Sequence, residues 1–102
     1  MRLEGKTVIV TGGASGFGAG IARKFVAEGA NVMVADLNMV MAGALVAELG
    51  KNSRAVEANV ANEASVKAMV QATLDAFGRI DVLINNAGTT HLPMPMEDVS
   101  ED

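Results

Sequence analysis

A chain of 102 residues is one domain at most, and with 50% apolar but only 3% aromatic residues its core must come from Val, Ile, Leu, Ala and Met. A net charge of −4 argues against a nucleic-acid partner, and the absence of cysteine excludes disulfides, thiolate metal sites and thiol catalysis. The start, Met1-Arg2-Leu3-Glu4-Gly5-Lys6, lacks the apolar core of a secretory signal, and no apolar run approaches the roughly 20 residues that cross a bilayer. The expectation is a soluble, cytoplasmic domain with no membrane partner and no metal.

Thr7-Val8-Ile9-Val10 is a short β-branched run ending in glycines and predicts a buried strand. From Phe17 the apolar spacing turns helical: Phe17, Ile21 and Phe25 recur every four residues beside Ala22 and Val26, and Gly29 supplies the stop. Asn31-Val32-Met33-Val34-Ala35 is the second strand. The next helix carries Met41, Leu45 and Leu49 on one stripe with Ala42 and Val46 beside it, and ends at Gly50. Arg54-Ala55-Val56-Glu57 is a weaker third strand. Asn62 can cap a third helix with Val66, Val70, Thr73, Leu74 and Phe77 on its buried face, closed by Gly78. Ile80-Asp81-Val82-Leu83-Ile84 is the fourth strand. Beyond it, His91-Leu92-Pro93-Met94-Pro95-Met96 reads as loop, and Val99-Ser100-Glu101-Asp102 as a helix start with Ser100 as cap.

Each helix ends on a glycine and is followed by an apolar strand, the pattern of βαβ crossovers. Right-handed crossovers then give an α/β fold of Rossmann type, a doubly wound parallel sheet in the order 3-2-1-4 with three helices. In such a sheet a pyrophosphate docks where the strand order reverses, on the N-terminus of the first helix. The chain there must turn sharply, approach the phosphates closely and pack helix on strand, and each requirement forbids a β-carbon at one position. Gly12, Gly16 and Gly18 can serve those needs, in a G-x-x-x-G-x-G spacing wider than the usual G-x-G-x-x-G. Ser15 can add a hydroxyl contact to ribose or phosphate. Asp36 stands 20 residues beyond Gly16, where an acidic residue accepts hydrogen bonds from the adenosine ribose; capping the next helix is its alternative role. A 2′-phosphate there would meet like charge, and no arginine lies beside Asp36 or in the glycine loop, so NAD(H) is preferred over NADP(H). Phe17 and Leu37, beside Gly16 and Asp36, join the candidate set.

Thr11-Gly12-x-x-x-Gly16-x-Gly18 together with Asn85-Asn86-Ala87-Gly88 resembles the paired signature of the short-chain dehydrogenase/reductases. Leu3-Glu4-Gly5-Lys6 and Gly78-Arg79-Ile80-Asp81 are similar to that family too, and the resemblance leans toward its 3-oxoacyl-carrier-protein reductase branch. It implies that Asn86, Ala87 and Gly88 lie beside the ribose and nicotinamide half of the cofactor, while Asn85 bonds the neighbouring strand. Asn59-Val60 matches a place where the family commonly has Asp-Val touching adenine; the Asn59 amide can still accept from the adenine amino group or donate. The branch's NADPH-dependent members usually carry an arginine in the glycine loop, from which Ser15-Gly16 and Asp36 depart.

The resemblance also implies chemistry by a Tyr-x-x-x-Lys pair and a Ser, acting on an alcohol or ketone in a homo-oligomer, dimer or tetramer. The chain contains no tyrosine, so no catalytic residue is assigned within it. His91 is read as a solvated loop residue, since no base–orienter pair forms around it; reaching toward substrate is the alternative. Residues 1–102 are therefore expected to be the N-terminal, cofactor-binding part of one Rossmann domain, ending before its catalytic half and inactive alone. The alternative is a free-standing, non-catalytic dinucleotide-binding or interaction module.

Overall fold

The computed structural model describes residues 3–14 and 16–86. Four strands, β1 (Thr7–Thr11), β2 (Asn31–Asp36), β3 (Ser53–Glu57) and β4 (Val82–Asn85), alternate with α1 (Gly16–Ala27), α2 (Met39–Leu49) and α3 (Glu63–Phe77). The strands are parallel and lie in the order β3-β2-β1-β4, as the crossover argument required. The order reverses at β1, which has β2 on one side and β4 on the other.

Register follows from the alternation of faces. Val8 sits opposite Val32 and Val82, and Val10 opposite Val34 and Ile84, so one face carries these valines under α1 and α2. Ile9 sits opposite Met33 and Leu83 on the other face, which α3 covers with Val66 and Met69. Every β1 residue is buried, and each fully buried Val or Ile contributes about 1.5–3 kcal/mol relative to exposure. The ends of α3 are closed as the sequence indicates, whereas the cap of α2 is Asn38 and not Asp36. Asn38 caps α2 by accepting from Met41 N–H, Asn62 caps α3 by accepting from Ser65 N–H, and Gly78 ends α3 in the left-handed conformation.

The buried stripes differ from the expected ones. On α1 the core face is Gly18, Ala19 and Ala22, while Phe17 stays 79% exposed and Ile21 and Phe25 are half-buried. The helix begins directly over the turn out of β1, where only small residues fit against the strand, so the larger side chains are displaced to its flank. They line an apolar groove of about 610 Å³ beside β4, formed by Phe17, Ile21, Phe25 and Ile84 with Gly16, Gly20 and the Lys24 stem. On α2, Ala42 and Leu45 are buried, but Met41 is exposed and Leu49 only half-buried. On α3 the face is Val66, Met69 and Thr73; Leu74 is exposed, and Val70 and Phe77 are half-buried. Met69 takes the place given to Val70 because a long, unbranched side chain reaches the sheet from the one helix that covers this face among the described residues. Thr73 is accommodated because its hydroxyl donates to the Met69 carbonyl at 2.8 Å.

The fourth strand starts at Val82 rather than Ile80. Asp81 occupies the entry: its amide donates to the Thr7 carbonyl at 2.9 Å while its carboxylate accepts the Thr7 N–H at 2.8 Å. Arg79 grips the same carboxylate with two bonds, of 2.8 and 2.6 Å. These bonds from Arg79 and then Thr7 hold the Asp81 carboxyl below its ordinary range. Among the described residues no helix is long and apolar enough to cross a membrane.

Candidate functional site

The C-terminal ends of β1, β2 and β4 converge on the segment between β1 and α1, at the point where the strand order reverses. Its glycines have different reasons to be there. Gly12 turns the chain out of β1 with φ +62°, and Gly16 opens α1 with φ +52°, both in the left-handed region that L side chains rarely adopt. No described atom lies within 4 Å of where a Gly16 β-carbon would sit, so this backbone faces open space. Gly18 is the reverse case. A β-carbon there would collide with the Gly12 carbonyl oxygen and lie 2.6 Å from Asn86 Nδ2. Helix, turn and β4 meet at that point without room for a methyl group.

Two sides hold the turn. On the β4 side, Asn86 Nδ2 donates to the Gly12 carbonyl at 3.3 Å, and the Asn86 amide donates to the Thr11 carbonyl and hydroxyl at 3.2 and 3.1 Å. The Thr11 hydroxyl lies 3.1 Å from Asn85 Oδ1 and 3.2 Å from the Ile84 carbonyl, so Asn85 bonds the neighbouring strand as expected. On the β2 side, the Gly12 and Gly13 amides donate to the Ala35 carbonyl at 2.8 and 3.4 Å. The Ala14 amide donates to Asp36 Oδ2 at 3.0 Å, and the other oxygen of that carboxylate accepts the Asn38 N–H at 2.9 Å. Asp36 thus reaches the cap residue of the following helix and the glycine turn together.

The structure gathers Gly12, Gly16, Gly18, Asp36 and Asn86 around this end of the sheet. Phe17 and Leu37 flank it with exposed side chains, Phe17 toward the α1 groove. Asn59 follows β3 and spends one oxygen lone pair on the Ala61 N–H at 3.0 Å, while its own amide donates to Ser65 Oγ at 2.8 Å. Its side-chain oxygen keeps a second lone pair, and its NH₂ group keeps its donors. Val60 is only 8% exposed, so any ligand contact there falls to its backbone. Ser15, Ala87, Gly88, His91, Met94, Met96 and Ser100 lie outside the described residues. Ser53 and Ser65 are engaged in local structure, Ser53 with the Gly50 carbonyl at 2.8 Å.

Sequence reasoning passed over two contributors. Gly13 has an ordinary φ, but a β-carbon there would lie 2.8 Å from the Val10 carbonyl oxygen, a packing demand that no turn signature announces. Thr11 does more than its place in the glycine motif implies: its buried hydroxyl ties β1 to β4. A threonine ending a β-branched strand just before glycines was the available signal.

Chemically, free amides at the start of α1 favour an anion, and the Asp36 carboxylate 3.0 Å from the turn offers acceptors to hydroxyl groups. The profile of the short chain dehydrogenase family matches residues 6–102. The chain belongs to that family. Its relatives include the sorbitol dehydrogenase of Cereibacter sphaeroides, 40% identical over the whole of this chain and 40% of that protein. The D-threitol dehydrogenase of Mycolicibacterium smegmatis is 45% identical over 97% of this chain and 39% of that protein. Among solved structures, the 3-ketoacyl-(acyl-carrier-protein) reductase of Brucella melitensis complexed with NADH superposes with a TM-score of 0.83. It is 43% identical, over 93% of this chain and 39% of its own. This short-chain dehydrogenase chain therefore spans about 40% of the length of the curated relatives it matches. Membership brings the nicotinamide-dinucleotide-binding Rossmann fold common to a family of oxidoreductases acting on CH–OH groups.

Proposed function

We propose that this chain is the cofactor-binding part of an NAD(H)-dependent short-chain oxidoreductase that interconverts an alcohol and a ketone. The observation that carries the reading is the placement of the Asp36 carboxylate at the end of β2, 3.0 Å from an amide of the turn that opens α1. A dinucleotide laid across the switch point would put its pyrophosphate over the open backbone at Gly16 and its adenosine ribose hydroxyls on Asp36. Asn59 and the Val60 backbone would then meet the adenine, and Asn86, Ala87 and Gly88 the nicotinamide half. Bound there, the cofactor supplies a nicotinamide ring that takes up or gives a hydride.

What these residues do is bind and orient. The proton leaving an oxidised hydroxyl needs an acceptor, and a chain with no tyrosine lacks the family's usual one, so we assign that group to sequence outside these 102 residues. The half-buried Val82 and Ile84, the side of β4 that pairs with no strand among the described residues, and the apolar groove along α1 support the same division. All suit a sheet that continues past β4, as does the 40% coverage of relatives. The substrate is proposed as an alcohol or ketone; sugar alcohols and 3-oxoacyl groups fit the names of its relatives.

Asp36 is also the basis for choosing NAD(H), because a 2′-phosphate beside it would meet like charge. Competition titrations of the chain and its Asp36→Ala variant with NADH and NADPH test this. The preference for NADH should fall on substitution. An unaltered ratio of the two affinities would sink the reading.

A further inference from the structure

We infer that Asp36 is a positioning residue for the glycine turn as well as an acceptor for ligand hydroxyls: its carboxylate latches the turn to β2. Three successive amides of the turn, those of Gly12, Gly13 and Ala14, point back at the end of β2. The first two share the Ala35 carbonyl. The next main-chain acceptor on β2, the Asp36 carbonyl, is already turned toward β3, where it accepts the Ala58 N–H at 3.2 Å. Ala14 is buried at 6% exposure, so its N–H has no ready access to water and takes the Asp36 side chain instead.

The second carboxylate oxygen is fixed by the Asn38 N–H, which anchors the side chain in one orientation. An ionised carboxylate has about four acceptor positions, so two backbone bonds leave two for other donors. One rigid group therefore sets both the path of the turn and the place of the hydroxyl acceptor. Moving the carboxylate moves both, so the phosphate-facing backbone at Gly16 is tied to the state of a residue at the tip of β2. An uncharged residue at position 36 would alter the turn even for a ligand with no hydroxyl to offer.

The latch is a property of the unliganded chain, and only its effect on binding rests on the cofactor reading above. Amide hydrogen exchange in the ligand-free protein reads it directly. In Asp36→Ala the Ala14 and Asn38 amides should exchange about tenfold faster or more, while Val8 and Met69 keep their protection as references for the fold. The Ala14 and Asn38 amides bond different oxygens of the carboxylate, and in Asp36→Asn one of these becomes an NH₂ group that cannot accept, so at least one of the pair should accelerate; this variant decides the matter if the alanine variant loses its reference protection. Unchanged exchange at Ala14 and Asn38 with the references intact overturns the latch.

The second readout is affinity for NADH and for an NADH analogue built on 2′,3′-dideoxyadenosine. If Asp36 positions the turn, Asp36→Ala weakens the analogue too, although the analogue has no adenosine ribose hydroxyl to lose. An analogue affinity identical in wild type and variant overturns the positioning role. If wild type binds NADH no better than the analogue, the hydroxyl-acceptor reading fails, and accelerated exchange at Ala14 still upholds the latch.

Discussion

Two glycines in one helix make opposite predictions for the same substitution. Gly18→Ala places a methyl group against the Gly12 carbonyl oxygen and 2.6 Å from Asn86 Nδ2, with the Gly12 carbonyl carbon at 3.0 Å. Two of those three atoms are backbone, held by the Ala35, Thr11 and Asn86 hydrogen bonds, and cannot swing aside as a side-chain tip would. Overpacking of this kind costs about 1–3 kcal/mol. Displacing Asn86 also forfeits its 3.3 Å bond to Gly12, about 0.5–1.5 kcal/mol more. Against this, alanine in a helix interior gains about 1 kcal/mol over glycine. The net is a destabilisation of about 2 kcal/mol, or roughly 4–8 °C in melting temperature per kcal/mol for a domain of this size. Gly20→Ala, two residues on, meets nothing within 4 Å and should stabilise by about 0.5–1 kcal/mol. Urea titrations followed by circular dichroism at 222 nm give both values. If Gly18→Ala were as stable as Gly20→Ala, the close junction of helix, turn and β4 would be refuted.

The buried Thr7 hydroxyl has no hydrogen-bond partner among the described residues, so Thr7→Val, which keeps the shape and removes the orphaned group, should raise stability by about 1 kcal/mol; a lower urea midpoint would count against it. The Asp81 carboxyl is held below its ordinary value of 3.8, chiefly by Arg79 and then by the Thr7 N–H. A carboxylate whose folded pKa is depressed contributes stability that is present above its unfolded pKa and lost as pH falls through the folded value. Stability should therefore decline from about pH 4 downward, and Asp81→Asn should be less stable at pH 7 with a flatter acid limb; parallel limbs in thermal melts from pH 2 to 7 would contradict this.

The topology was legible because three glycine-ended helices each precede an apolar strand, and parallel crossovers leave few ways to arrange them. The helix faces were less legible. Four-residue spacing identifies a helix, but on α1 it chose the stripe of large residues, Phe17, Ile21 and Phe25. The space above β1 admits only Gly18, Ala19 and Ala22. Periodicity reports which residues share a face and is silent on how closely that face approaches its neighbour. The Val70-for-Met69 exchange on α3 has the same root. At the site, Gly12, Gly16 and Gly18 could be singled out because turns and close packing restrict the residue types. Gly13 and the Ala14 amide could not, since their partners arrive through the main chain or from a strand distant in sequence, and Thr11 carries only the weaker signal of its place at the end of a β-branched strand. Asp36 was found for its charge, yet its grip on the turn depends on a β2 carbonyl already committed to β3.

In the function proposed above, the glycine turn and Asp36 together receive a nicotinamide dinucleotide without a 2′-phosphate. Calorimetric titration of the wild-type chain with NADH and with NADPH, side by side, tests it most directly. Saturable one-to-one binding of NADH, with NADPH at least tenfold weaker, is the predicted result, a difference of about 1.4 kcal/mol. Equal or tighter binding of NADPH, or no binding of either by a chain whose circular dichroism reports a folded α/β domain, would contradict it.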